Sequence, residues 1–122
     1  MFKIKLRPDD VLFSKYLRKK RGYKCERCGV IYPEGKGLQV SHFHGRRNES
    51  VRFDEENCDV LCFHDHQMFE ENPAFYSKWK LEKLGKAKYD RLLIRASLYC
   101  KRDIKANLLW IKQQMKKYER SN

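Results

Sequence analysis

The chain has 122 residues, with 28 Lys and Arg against 16 Asp and Glu, a formal net charge of +12 and 41% hydrophobic residues. That length favours a single domain, the apolar content is too high for a disordered tail, and no run of ~18 apolar residues could span a bilayer. Charge of one sign on so small a body repels itself, so a polyanion is the expected partner, with an acidic membrane surface as the competitor.

Residues 2–6 alternate apolar and basic, which predicts a short strand or extended arm. The first eight residues lack the apolar core and small-residue cleavage site of a signal peptide, so a reducing, cytoplasmic setting is expected. Pro8, Asp9 and Asp10 read as a helix start, with Val11, Leu12 and Tyr16 on its apolar side and Phe13 beside them; Gly22 ends it. A Cys25-x-x-Cys28-Gly29 knuckle follows, then a link rich in turn residues at Pro33, Gly35 and Gly37. Residues 38–43 predict a strand with Leu38, Val40 and His42 on one face. Residues 44–57 are polar and basic, the profile of a surface loop, and residues 58–62 predict a second short strand. Helices are expected at about 64–71, 73–84 (opened by Pro73 and closed by Gly85), 86–98 and 103–119. In the last, Ile104, Leu108, Ile111, Met115 and Tyr118 form one apolar stripe, a candidate surface for a partner or a homodimer.

Five cysteines in a reducing compartment suggest metal ligands or buried thiols before disulfides. Cys25 and Cys28 place two thiolates on one ion, and tetrahedral zinc needs two further ligands that can lie far away in sequence. Cys62 is one candidate. Asp65 stands three residues on, where a cysteine would be expected. The fourth ligand is open among Asp65, His64 (the better zinc ligand by chemistry but one residue out of register) and Cys58, which shares a strand face with Cys62. On the bland reading Cys58 and Cys100 are buried thiols, and His44 and His64 are surface histidines.

Between the cysteines stand His42, Asn57 and His66. Singly, they read as a half-buried histidine, a turn residue and a further zinc ligand. In order around a split knuckle, they resemble HNH (ββα-metal) endonucleases. The pieces Ser41-His42-Phe43, Gly45-Arg46-Arg47, Arg52-Phe53-Asp54, Asn57, Leu61-Cys62, His66 and Phe69-Glu70-Glu71-Asn72-Pro73, with Trp79 and Leu84-Gly85, are similar to a phage and prophage subgroup akin to NinG-type recombination nucleases. The likeness covers about residues 9–98.

The resemblance implies an α+β fold, with a small ββα-metal core and split zinc knuckle (about residues 23–72) wrapped by N- and C-terminal helices, the C-terminal extension being about 73–122. It implies DNA phosphodiester hydrolysis to 5′-phosphate and 3′-hydroxyl ends, in a bacterial or phage-infected cell, alongside phage DNA-processing partners. His42 would be the general base, His66 would hold the catalytic Mg²⁺, Mn²⁺ or Zn²⁺, and Asn57 would brace the loop or, less commonly, touch the metal. Two departures stand out. Ser41 occupies the place of a common metal ligand, so His44, Glu70, the phosphate or water would have to serve, and Asp65 replaces a zinc cysteine.

For DNA contact, Arg46, Arg47 and Arg52 offer one basic patch and Lys19, Lys20 and Arg21 another. No base-reading module is evident. The rival reading is a non-catalytic zinc-knuckle DNA-binding module, and a weaker one is an RNA-directed nuclease or toxin.

Overall fold

The computed structural model describes residues 6–121, so the expected strand or arm at 2–6 lies, Leu6 apart, outside the described residues. Those residues form a small α+β domain of five helices and one two-stranded antiparallel sheet. In chain order these are α1 (Pro8–Lys20), β1 (Leu38–His42), β2 (Cys58–Cys62), α2 (Phe63–Glu71), α3 (Pro73–Leu84), α4 (Lys86–Ala96) and α5 (Ile104–Ser121). None of the described helices is long and apolar enough to cross a membrane.

Helix α1 begins where proline sacrifices no helical hydrogen bond, and the Asp10 carboxylate accepts the Arg7 N–H at 3.0 Å. Arg18, Lys19 and Lys20 fill its last turn, where positive charge opposes the helix dipole. The buried side is Phe13, Tyr16 and Leu17, while Val11 is exposed. This corrects the expected stripe: Leu17 completes an i, i+3, i+4 set that Val11 falls outside.

The strands pair Leu38 with Cys62, Val40 with Val60 and His42 with Cys58. Residues directly opposite share a face. Leu38, Val40 and His42 therefore face α1 with their partners, while Gln39 and Ser41 share the other face with Leu61 and Asp59. The core joins Phe13 and Leu17 to Val40, Val60, Leu61 and Phe69. On the second face, Ser41 Oγ donates to the Tyr76 hydroxyl at 2.9 Å, which in turn donates to Asp59 Oδ2 at 2.6 Å. Lys80 and Lys83 of α3 reach Asp59 Oδ1 at 2.8 and 2.6 Å. Asp59 and Lys80 are both fully buried. Burial works against the Asp59 carboxylate, but the two lysines outweigh it and hold its pKa below the usual range.

The segment between the strands is more ordered than its composition suggests. It holds short 3₁₀ turns at Glu49–Val51 and Glu55–Asn57, and buries Val51 and Phe53. Arg95 of α4 grips it through Asp54 at 2.7 Å and Glu56 at 2.8 Å. Helix α5 lies against α1, with Ile111 buried and Met115 and Tyr118 packed on the core. Just before α5, Arg102 pairs with Asp9 and Asp10, and Asn107 Nδ2 donates to Asp9 Oδ2 at 3.1 Å. Cys100, expected as a buried thiol, is exposed, because the turn between α4 and α5 leaves it on the surface.

Candidate functional site

The knuckle is closed by backbone bonds. The Gly29 N–H reaches the Cys25 carbonyl at 2.9 Å, with Gly29 at φ +79°, which favours glycine. The Glu26 N–H bonds the Val60 carbonyl at 2.8 Å and so seats the knuckle on β2. Cys62 ends β2, and Asp65 lies in the first turn of α2. The ligand atoms of Cys25, Cys28, Cys62 and Asp65 all lie within 4.8 Å of one another, and Cys25 Sγ is 3.2 Å from Asp65 Oδ2. A tetrahedral ion with metal–sulfur bonds near 2.3 Å holds its donors about 3.7 Å apart, so this donor set could bind one structural metal ion.

The other Asp65 oxygen is held by Arg27 at 3.0 Å and lies 3.3 Å from His64 Nδ1, which turns Oδ2 toward the thiols. His64 itself is 84% exposed at its side chain and stands outside the cluster. Cys58 stands outside it too: it shares a face with Cys62 but lies four residues, or roughly 13 Å, away along the strand. It is buried in the core with Sγ toward the Arg52 carbonyl at 3.5 Å. The Val30 N–H favours the Cys28 thiolate, but burial and the neighbouring Cys25 and Cys62 outweigh it and push the pKa up to about 11. Crowded thiolates of this kind are relieved by a shared cation.

A second cluster lies in a cleft of about 440 Å³, where His42 of β1 and His66 of α2 line the same wall set as Gln39, Arg46 and Asp10. His42 Nε2 and Arg46 Nη1 are buried without a hydrogen-bond partner among the described residues. Burial, reinforced by the charges of Arg46 and Arg52, lowers the His42 pKa to about 4, so the ring is neutral at neutral pH. His66 Nδ1 meets Gln39 Oε1, a carbonyl acceptor; in the tautomer that donates there, Nε2 presents a lone pair. That lone pair lies 3.3 Å from Glu70 Oε1, an arrangement suited to a shared cation. Burial lowers the His66 pKa, against the pull of Glu70.

Asn57 is fully buried and turns its amide to the backbone. Oδ1 accepts the His44 N–H at 2.8 Å, while Nδ2 donates to the His44 and Val51 carbonyls at 3.0 and 3.1 Å. It pins the loop that leaves β1 just after His42 and does not line the cleft. His44, which a continued two-residue alternation would place on the face of His42, does not line it either. Strand β1 stops at His42, so the two-residue alternation ends there. The His44 ring packs on Phe43 at 4.9 Å, and burial with the nearby Lys80 charge lowers its pKa.

The basic patches also need correcting. Arg52 is 5% exposed and bonds both Asp10 oxygens, at 2.8 and 2.9 Å, and the Arg46 carbonyl at 2.7 Å. Lys20 pairs with Glu55 at 2.9 Å, and Arg21 with Glu26 at 2.9 Å. Sequence shows the cations but not the carboxylates that folding sets opposite them. Lys19 and Arg47 are exposed and make no ion pair among the described residues, and Arg46 opens into the cleft.

Sequence reasoning missed Gln39, which orients His66, and it read Asp10 only as a helix start. Neither carries a local signal, since Asp10 meets Arg52 across 42 positions. The chain matches no protein-family model, no curated protein and no solved structure, so the chemistry of this site is read from its own geometry.

Proposed function

We propose that this protein is a metal-dependent DNA endonuclease of the HNH type, with a ββα-metal core formed by β1, β2 and α2 and a structural zinc ion on Cys25, Cys28, Cys62 and Asp65. The observation that carries this reading is the convergence of His42, His66 and Arg46 on one cleft. A basic chain of +12 supplies the attraction for a polyanion.

His66, with Glu70 beside it, would hold a divalent cation, whose chemistry is to neutralise the phosphate and stabilise the leaving oxygen. His42 is the base. Its neutral ring would take a proton at Nε2 from the attacking water as the water oxygen bonds to phosphorus, a step that requires the cleft to open onto this buried atom. The bond from phosphorus to the 3′ oxygen breaks, and that oxygen leaves as a hydroxyl after gaining a proton from solvent. Arg46 Nη1, without another partner among the described residues, offers a hydrogen bond to a phosphate oxygen. Asn57 acts only through the loop it pins.

The test is cleavage of supercoiled plasmid by purified protein with Mg²⁺ or Mn²⁺, beside His42→Ala. Metal-dependent nicking lost in the variant supports the reading. One observation favours the rival, a zinc-knuckle DNA-binding module: Ser41 is tied to Tyr76 on the opposite face and gives the cleft no ligand. Plasmid binding without cleavage under any divalent ion would establish that rival.

A further inference from the structure

A second cleft, of about 320 Å³, opens between α1 and α5. Lys15, Arg18 and Lys19 line it from α1, Tyr23 and Glu34 from the knuckle region, and Tyr118 from α5. Arg18 also lines the cleft of His42 and His66, so the two clefts share a wall.

Three features set the α1–α5 cleft apart. Its cations lie beside aromatic rings: Tyr23 and Tyr118 are half-buried, and Tyr118 meets Tyr16 edge-on at 6.5 Å. Its volume leaves room for one nucleotide and is far too small for a duplex. The described chain has two non-glycine residues at positive φ, Tyr23 (φ +54°) and Glu34 (φ +58°), and both line this cleft. Strained residues of this kind gather at ligand sites, where surrounding structure holds them in place.

We propose that this cleft is a second nucleotide site, which takes one unpaired base of the nucleic acid whose backbone lies in the His42 cleft. The proposal rests on the nuclease reading for its substrate and extends it to DNA with an unpaired segment. The base stacks on the Tyr118 ring, and its phosphate meets Lys15 and Lys19, which with Arg18 outnumber the carboxylates of Glu34 and Glu119 in the same lining. Arg18 does not move to meet it, being bonded to the Ser14 and Gly35 carbonyls at 3.2 and 3.1 Å; it forms the fixed partition between the two clefts.

The experiment measures fluorescence anisotropy of labelled DNA with the non-cutting His42→Ala protein, comparing a blunt duplex with the same duplex carrying an unpaired tail. The tailed duplex is expected to bind about tenfold tighter, the scale of one base stacked on one aromatic ring. Adding Tyr118→Leu, which keeps apolar bulk on the core, should remove that preference and leave blunt-duplex affinity nearly unchanged. Lys15→Gln with Lys19→Gln, on an exposed helix face, is a second route that does not load the core and should also reduce the preference. Equal affinity for the two DNAs overturns the proposal, as does a preference that survives both variants or persists with an abasic tail. Failure of the two readings is separable. His42-dependent plasmid cleavage without tail preference sinks the nucleotide site alone; tail preference lost in Tyr118→Leu, in a protein that never cleaves, supports the site and sinks the nuclease.

Discussion

On the α3 face of the two-stranded sheet, Ser41, Tyr76, Asp59, Lys80 and Lys83 form a closed chain of hydrogen bonds and ion pairs. On the α1 face, His42 and Arg46 each bury a nitrogen that has no partner among the described residues. A buried polar group left unpaired costs about 1–3 kcal/mol, so the two faces differ in purpose. The closed cluster fastens a helix to the sheet. The open one leaves an Arg46 N–H that, on the proposed reading, a phosphate oxygen could meet, and a His42 lone pair to which a water could donate. Strength of burial does not separate the two; completeness of hydrogen bonding does.

The Cys25, Cys28, Cys62 and Asp65 cluster belongs with the closed side of this comparison, and on the proposed reading losing a structural zinc there is the hardest blow to the fold. Structural zinc supplies on the order of 10 kcal/mol in small domains. Cys62→Ser is therefore expected to lose bound zinc, measured by mass spectrometry, and to unfold below the melting temperature of the wild type by tens of degrees. A Cys62→Ser protein with unchanged melting would remove the metal from the architecture.

Next in size is Asp59→Ala, which strands Lys80 as a buried, unpaired charge and is expected to destabilise the fold by about 3–5 kcal/mol in urea titration. A loss under about 1 kcal/mol would mean that water reaches Lys80 and the α3 face is not closed.

The open side is probed by pH. The folded His42 pKa, about 4, lies below its ordinary value of 6.5. Between those values the unfolded chain binds a proton that the folded chain does not. Stability from this group is therefore complete above pH 6.5 and is lost as pH falls toward 4, by an amount on the order of 3 kcal/mol. The stability difference between wild type and His42→Gln should change with that slope across the window; a flat difference would place His42 in water.

The smallest effect separates two arginines. Arg47→Ala should alter stability by less than about 0.5 kcal/mol and lower the salt dependence of DNA binding by about one unit of slope. Arg52→Ala should do the reverse, lowering stability through its lost Asp10 pair with no change in salt slope.

Much of the fold was legible in local pattern. The turn residues, the prolines at the starts of α1 and α3 and the two-residue alternation of β1 act over a few positions, so the elements fall close to where the sequence predicts them. Spacing also names Cys25, Cys28 and Cys62 as ligands, with the fourth place open, because a knuckle and a short strand fix local reach. The choice among Asp65, His64 and Cys58 was not legible: it depended on which side of α2 met the knuckle and on how far along β2 each residue lay. His44 was misplaced because alternation holds only while a strand lasts.

The sequence by itself determined which residue types are present, where helices and strands lie to within a residue or two, and that cations outnumber carboxylates by 12. Only the tertiary structure decided which cations remain available. It set Asp10 on Arg52, Glu55 on Lys20 and Glu26 on Arg21, while leaving Arg46 beside His42 and Lys19 and Arg47 exposed. The reason is physical: helix and strand signals arise between near neighbours in the chain, whereas an ion pair or a cleft depends on distances in space between residues tens of positions apart.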